Sequence, residues 1–414
     1  MNSYFASVEQ QANPTLRGRP LGVCAYLHEQ GCVIAASVEA KRFGMKVGMT
    51  VQEARKICPH AVFVQNDPAK YRTVTSQVFF ILGSLTDRFE PYSIDEAFLD
   101  LTGWYRDGAE AAWVLARARQ QIHDDVGEWL RCSIGIAPTR FLAKTASKME
   151  KPSGLTIIDH ENLDVMLGRL SLRDLHGIGP RMERRMKRLG IFSPLALKQY
   201  PLSNLIRLFG KYGFMMWAKL HGWEPESIRT AEEEDRKSIG HSYCVPDRVN
   251  TEGGVLSVLV KLTERAARRM RSYGYLASVV TVAVSFRDDD DRHPISFRTG
   301  NNSAWLRLDE PAEDSFTLVD AITKLLDGVW RCERVRFLAV TLSEFSVPNG
   351  QLSISPCQGE IQRGHREKRV SAALDAIRTT HGDNAIMLGS MFTAGDDAPE
   401  RIGFRKTDDI VIPS

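Results

Sequence analysis

The chain has 414 residues, of which 43% are hydrophobic and 25% charged, and a net charge of +3. That balance belongs to an ordinary globular protein, with room for about two to four domains. There is no stretch of about 18 apolar residues that could span a membrane, and the N-terminus lacks the basic-then-apolar pattern of a secretion signal. A cytoplasmic protein is therefore expected. The seven cysteines (24, 32, 58, 132, 244, 332 and 357) are scattered and odd in number, which predicts reduced thiols.

The chain opens "MNSYFASVEQ", with Tyr4, Phe5 and Val8 already in its first turns. Strand-like runs follow at 21–26, 32–37, 61–65, 96–101, 132–137 and 155–159. Helix-like stretches lie between them, the clearest at 111–130, where apolar residues recur at helical spacing. Residues 1–160 thus read as a sheet with helices packed on it. Cys24, His28 and Cys32 stand four residues apart, but two strands and a turn would spread them, and no fourth ligand is evident.

From 161 to 230 the strand signals vanish. Twelve Arg and Lys face six Asp and Glu there, a surplus of six positive charges against +3 for the whole chain. This predicts a small, basic, helical domain. The polar stretch 231–239 reads as a linker. Residues 240–345 return to α/β, with helices at 255–275 and near 316–330 and strands at 277–286 and 334–345. A tail, 346–414, holds one amphipathic helix candidate at 366–382. "DDDD" at 288–291 reads as a solvated turn.

Three stretches carry chemistry. In "PYSIDEAFLDLT" (91–102) the adjacent carboxylates Asp95 and Glu96 follow two turn-friendly residues and precede a strand. Neighbouring side chains on a regular strand point to opposite faces. Both can reach one ion only at a strand end or hairpin tip, where a hard cation such as Mg²⁺ could be held together with substrate phosphates. In "LHGIGPRMERRMKRLGI" (175–191), Gly177 and Gly179 let backbone N–H groups approach an anion, and a helix bearing Arg181 and Arg185 follows. This helix-hairpin-helix pattern would grip DNA phosphates without reading bases. "ERAARRMRSYGY" (264–275) mixes arginines, among them Arg268 and Arg269, with tyrosines, a candidate surface for tracking a nucleic-acid backbone.

In this order, "NSYFASVEQ", "EAKRFGMKVGM", "YSIDEAFLDLT", "IGIAPTRFLAKTASKMEKPSG", "LHGIGPRMERRMKRLGI" and "KSIGHSY" resemble the Y-family DNA polymerases, the DinB/UmuC type of translesion enzyme. The resemblance runs through residues 1–345. It implies an α/β multidomain right-hand polymerase. The palm and fingers would occupy 1–160 (fingers about 11–70), a helix-hairpin-helix thumb 161–230 and a little finger 240–345. It implies template-directed, low-fidelity addition of dNTPs to a primer 3′-OH with two Mg²⁺ ions. Asp95 and Glu96 would be the catalytic and metal-binding carboxylates. Phe5 would be the steric gate against a ribose 2′-OH, and Tyr4 next to it would also belong to the nucleotide-binding set. Lys41 and Lys151 would meet the incoming triphosphate. Lys41 stands where the family usually has Arg, keeping charge but losing the bidentate fork, and Val38 replaces a phosphate-binding Tyr. "QLSIS" (351–355) lies where relatives carry a peptide for the sliding clamp. Gln351, Leu352 and Ile354 fit it, while Ser355 replaces an aromatic anchor and is expected to weaken docking.

The resemblance also places a metal-bridging Asp, at the end of a palm strand, immediately before the residue matching Met1. The sequence as given carries neither, leaving only the Met1 backbone carbonyl as a possible further ligand. Its loss should cost orders of magnitude in rate and leave sheet edges unpaired. The expectation is a poorly active or inactive 414-residue chain, either because the natural protein starts upstream, the reading favoured here, or because it is a degraded polymerase acting as a DNA- and clamp-binding adaptor. A helix-hairpin-helix nuclease is the more distant rival.

Overall fold

Tyr4–Ala12 (α1) is buried on nearly every side: Tyr4, Ala6, Ser7, Val8, Glu9 and Gln10 all lie in the interior. A helix enclosed all round sits inside a core rather than upon one. Its one buried charge is compensated, since Glu9 accepts from Lys70 Nζ at 2.9 Å and from Tyr71 Oη at 2.8 Å, as a buried carboxylate requires. The computed structural model describes residues 1–29, 31–228, 236–286, 301–348, 358–382, 385–395 and 397–398. Met1–Glu234 forms one compact unit and Asp235–Glu400 another.

In the N-terminal unit, Leu21–Cys24 (β1) pairs antiparallel with Val33–Ala36 (β2) and parallel with Val62–Gln65 (β3). Val38–Arg42 (α2) and Val51–Ile57 (α3) stand between β2 and β3, and Thr50 and Glu53 close α3 with a reciprocal capping box. Pro68–Gly83 (α4) starts on an Asp67 cap with Pro at its first position. Phe89–Ser93 (β4) and Glu96–Leu99 (β5) make a hairpin. Gly108–Gln121 (α5) follows, then Ile134–Ile136 (β6), Arg140–Met149 (α6) and Leu155–Ile157 (β7), with β6 parallel to β7. The single sheet expected over residues 1–160 is therefore three small ones among the described residues. The β4–β5 and β6–β7 pairs do not join. Ala97 and Leu99 of β5 and Ile134 and Ile136 of β6 line one cavity of about 760 Å³.

Five helices follow: Leu163–Gly168 (α7), Pro180–Arg188 (α8), Pro194–Gln199 (α9), Leu202–Phe209 (α10) and Lys211–Leu220 (α11). Their core of Leu167, Met186, Ile191, Leu197 and Leu205 continues into Leu142 and Ala146 of α6. The helical region thus shares one interior with the helix that precedes it.

The C-terminal unit is a four-stranded sheet. Its order is Asn301–Ala312 (β10), Leu276–Phe286 (β9), Val335–Ser346 (β11), Ser238–Cys244 (β8), all antiparallel. Glu252–Ser272 (α12) and Ser315–Val329 (α13) cover one face, burying Val280, Val282, Leu338, Val340 and Leu342. The tail then folds back on these helices. In Gln358–His381 (α14), Asp375 takes Arg271 at 2.6 Å and Arg378 meets Glu264 at 2.6 Å. Past it, the 3₁₀ turn Gly389–Ala394 lies on α12, where Lys261 donates to the carbonyls of Ala394, Gly395 and Asp397.

Candidate active site at the β4–β5 hairpin

Asp95 and Glu96 stand at a hairpin tip, the arrangement their adjacency demanded. Ser93 pairs with Glu96 across the hairpin, leaving Ile94 and Asp95 as the turn. The ladder shifts register between Pro91 and Ser93, a bulge of the kind that re-aims side chains at sites. The buried Ser93 hydroxyl donates to Asp95 Oδ1 at 2.8 Å and lies 3.5 Å from Glu96 Oε2, so one side chain orients both carboxylates. The tip is held from beneath. Thr75 of α4 donates to the Ile94 carbonyl at 2.7 Å, and the Tyr4 hydroxyl meets Thr75 Oγ1 at 2.7 Å.

Around this tip the charges are mostly positive. Lys144 Nζ lies 2.5 Å from Glu96 Oε2. Burial pushes the Glu96 carboxyl up, but the Lys144 hydrogen bond and the charges of Lys144, the chain's α-amino group and Lys151 together hold it below its ordinary value. Lys41 donates to Ser3 Oγ at 2.8 Å. Burial lowers its pKa, nearby Lys151 lowers it further, and Asp95 opposes both. Lys151 and Asp95 are thus both within electrostatic reach of Lys41, although 110 residues separate the two lysines. The Lys151 loop is anchored by Asn2, whose Oδ1 accepts from Ser153 N at 3.0 Å, while the Asn2 amide also reaches Ser133.

The other nominated residues fall as follows. Phe5 is half-buried and stacks on Tyr71, with ring centroids 4.4 Å apart. Tyr4 is buried, with its hydroxyl committed to Thr75 and the Tyr71 carbonyl, and burial raises its pKa far above the ordinary value. The Met1 amino group donates to the Asp95 carbonyl at 2.6 Å. Gly177 takes φ +84°, open to glycine at little cost, and Gly179 caps α8. Arg181 is exposed. Arg185 instead lies over the Phe209 ring and donates to the Leu208 carbonyl. Arg268 donates to Thr379 of α14 at 3.1 Å and Arg269 is half-buried. The 264–275 stretch was expected to be an open tracking surface, yet α12 packs on the sheet, α13 and the 3₁₀ turn, and Glu264, Arg268 and Arg271 reach residues of α14. Gln351, Leu352 and Ile354 lie outside the described residues, as do 288–291.

Sequence reasoning missed Ser93, Asn2, Thr75 and Lys144 as site residues. Lys144 lay inside a quoted motif, but nothing in its spacing pointed to Glu96, 48 positions away. Among the described residues no cluster of three or more His, Cys, Asp or Glu forms. Asp95 and Glu96 are hard oxygen donors at an accessible tip, a set that suits Mg²⁺ rather than a softer metal.

Comparison with known proteins shows the family of the chain. Residues 1–148 match the impB/mucB/samB family and residues 236–355 match that family's C-terminal domain. A DNA polymerase IV of Moorella thermoacetica is 34% identical over 388 residues, covering 93% of each chain. The chain belongs to this family, the Y-family DNA polymerases. Another DNA polymerase IV, from Pelotomaculum thermopropionicum, is 31% identical over 98% of this chain and 97% of its own. DNA polymerase IV 2 of Bacillus subtilis is 30% identical over 97% and 95%. Among solved structures, a Y-family polymerase chimera of Dbh and Dpo4 is 26% identical, with a TM-score of 0.70 over 84% of this chain and 97% of its own. A Dbh polymerase solved as an insertion ternary complex, at 24% identity and TM-score 0.54, shares the fold. The Y-family chain thus has the expected α/β multidomain polymerase fold, and the adaptor reading is not favoured. No described helix is long and apolar enough to cross a membrane.

Proposed function

We propose that this chain is a template-directed DNA polymerase of the lesion-bypass type, acting in the cytoplasm on primer–template DNA and dNTPs. The observation that carries the reading is the meeting of two charge sets: the carboxylates Asp95 and Glu96 at the hairpin tip, and the cations around them, Lys144 on Glu96, Lys41 on Ser3, and Lys151 within electrostatic reach of Lys41 and Glu96. Cations that repel one another beside two carboxylates form a site that a metal-bound triphosphate would relieve.

In this reading Asp95 and Glu96 hold two Mg²⁺ ions, which when bound would offset negative charge building on the attacking and departing oxygens. Ser93 fixes the direction of Asp95. Lys41 and Lys151 hold the triphosphate and orient its α-phosphate toward the primer 3′-OH. The Phe5 ring, braced by Tyr71, excludes a ribose 2′-OH. The turn at Gly177 and Gly179 takes a backbone phosphate on its N–H groups, with Arg181 adding charge beside it. Clamp docking through 351–355 completes the proposal, weakened by Ser355.

The test is primer extension on intact and abasic templates by the 414-residue chain and its Asp95→Asn variant. Slow, template-dependent extension that the variant loses is expected. Extension that Asp95→Asn retains in full, or that ignores the template, would overturn the reading.

A further inference from the structure

Lys144 takes part in more than its pair with Glu96. Its ammonium lies 4.1 Å from the centroid of the Tyr92 ring, a cation held on a π face. Only a tenth of the lysine side chain is exposed, against 40% of the Glu96 side chain. Tyr92 belongs to β4, the strand that leads into the hairpin tip. Its hydroxyl shares a hydrogen bond of 3.0 Å with His176 Nε2, and the two rings meet edge to face with centroids 6.0 Å apart. His176 immediately precedes Gly177, the left-handed residue of the turn that starts α8. A continuous series of contacts therefore runs from Glu96 through Lys144 and Tyr92 to the backbone of the basic turn, all inside the N-terminal unit.

We propose that this series couples DNA at the α8 turn to the metal-binding carboxylate, with Lys144 as a positioning residue that stands in for a cation on Glu96 until DNA engages. The inference rests on the reading of Asp95 and Glu96 as metal ligands. The physical argument is competition. An ammonium 2.5 Å from Glu96 Oε2 occupies an oxygen that a divalent ion also needs, and its charge repels that ion. Lys144 is held there by two attractions, the carboxylate and the Tyr92 ring. A phosphate seated on the 177–179 turn bears on His176, and through the hydrogen bond on the tilt of Tyr92. Moving that ring removes one of the two attractions and lets Lys144 leave the carboxylate. DNA then strengthens metal binding, and by linkage the metal strengthens DNA binding by the same factor.

The experiment measures Mn²⁺ binding to the full chain by electron paramagnetic resonance, with and without a dideoxy-terminated primer–template, so that no turnover enters. Wild type is compared with Asp95→Asn, Lys144→Met, Tyr92→Phe and His176→Phe. Asp95→Asn should lose the tight Mn²⁺ site. Lys144→Met should bind Mn²⁺ about fivefold tighter than wild type without DNA, the lower end of ordinary coupling strengths. Tyr92→Phe keeps the ring but loses the hydroxyl. It should match wild type without DNA, yet gain about fivefold less Mn²⁺ affinity from the primer–template, and His176→Phe should do the same. If Asp95→Asn leaves Mn²⁺ binding unchanged, the metal-site reading falls and the coupling with it. If Asp95→Asn loses the site while Tyr92→Phe and His176→Phe respond to DNA as wild type does, the coupling alone is wrong. Unchanged Mn²⁺ affinity in Lys144→Met would equally refute it. Tyr92→Phe differs by one hydroxyl, so equal thermal melting of that variant and wild type separates the effect from misfolding.

Discussion

Arg378→Met tests whether the C-terminal segment is an integral part of the second unit. Arg378 Nη1 lies 2.6 Å from Glu264 Oε2, with the two side chains only 5% and 2% exposed. Its Nε also donates to the Ile386 carbonyl at 3.1 Å. The pairing is incomplete, because Glu264 Oε1 and Arg378 Nη2 lack hydrogen-bond partners. Methionine keeps the stem's packing and removes the charge, leaving Glu264 as a lone buried carboxylate facing α14. Breaking one side of such a pair costs about 3–5 kcal/mol. Replacing both partners by apolar groups, Glu264→Leu with Arg378→Met, removes two desolvated charges together and should bring stability back to about the wild-type level or above it. Hydrogen exchange of the α12 amides is the assay, since it isolates this unit from the rest of a multidomain chain. The single variant should speed α12 exchange by about a hundredfold or more, and the double variant should reverse most of that. A single variant costing less than about 1 kcal/mol, or a double variant no better than the single, would refute the claim that the charge pair carries this contact.

Phe5→Ala should raise ribonucleotide incorporation relative to dNTP by about tenfold or more, read from primer extension in each nucleotide pool; unchanged discrimination would remove Phe5 as the gate. Lys41→Arg should lower the KM for dNTP with little change in kcat, because a fork gains a second hydrogen bond to phosphate that an ammonium cannot make; steady-state kinetics decide it. The Glu96 carboxyl is held below its ordinary 4.5, burial opposing and Lys144 prevailing. Its folded-state value therefore lies beneath the unfolded one. The stability it contributes is complete above about pH 4.5 and is lost as pH falls through the folded value. Lys144→Met removes the chief lowering influence, so a carbon-13 NMR titration of Glu96 should move to higher pH; no movement would show that Lys144 does not set it.

Much of the site was legible because its chemistry is local. Asp95 and Glu96 could share an ion only at a strand end or a hairpin tip, and of these two placements the structure has the tip. The leading strand was not legible. Pro91 and Ser93 read as turn formers, but β4 tolerates them because the ladder is already irregular there: its register shifts between these two residues. Strands β8 and β10 went unread for a related reason. Their runs "SIGHSYC" and "NNSAWLRLDEPA" carry small and polar residues, and they form the two outer strands of the sheet, each paired on one side only. Burial is what gives a strand its apolar signature, and an outer strand has less of it.

The long-range contacts were invisible for a different reason. Tyr4 was nominated for the nucleotide from its place next to Phe5, yet neighbouring helix positions face different directions. Phe5 is left half-buried, while Tyr4 points into the core and its hydroxyl meets Thr75, 71 positions along the chain. Thr75 in turn holds the Ile94 carbonyl at the hairpin tip. Tyr4 thus reaches the hairpin tip from beneath, through two hydrogen bonds in series. The arginines of α12 teach the complementary point. A basic, tyrosine-containing helix suggests nucleic acid only while its charged face is open. Arg271 is turned inward against Asp375 of α14, while Arg268 reaches Thr379 of the same helix at the surface. The helix pattern at 366–382 was legible, but not the contacts by which α14 meets Arg268 and Arg271.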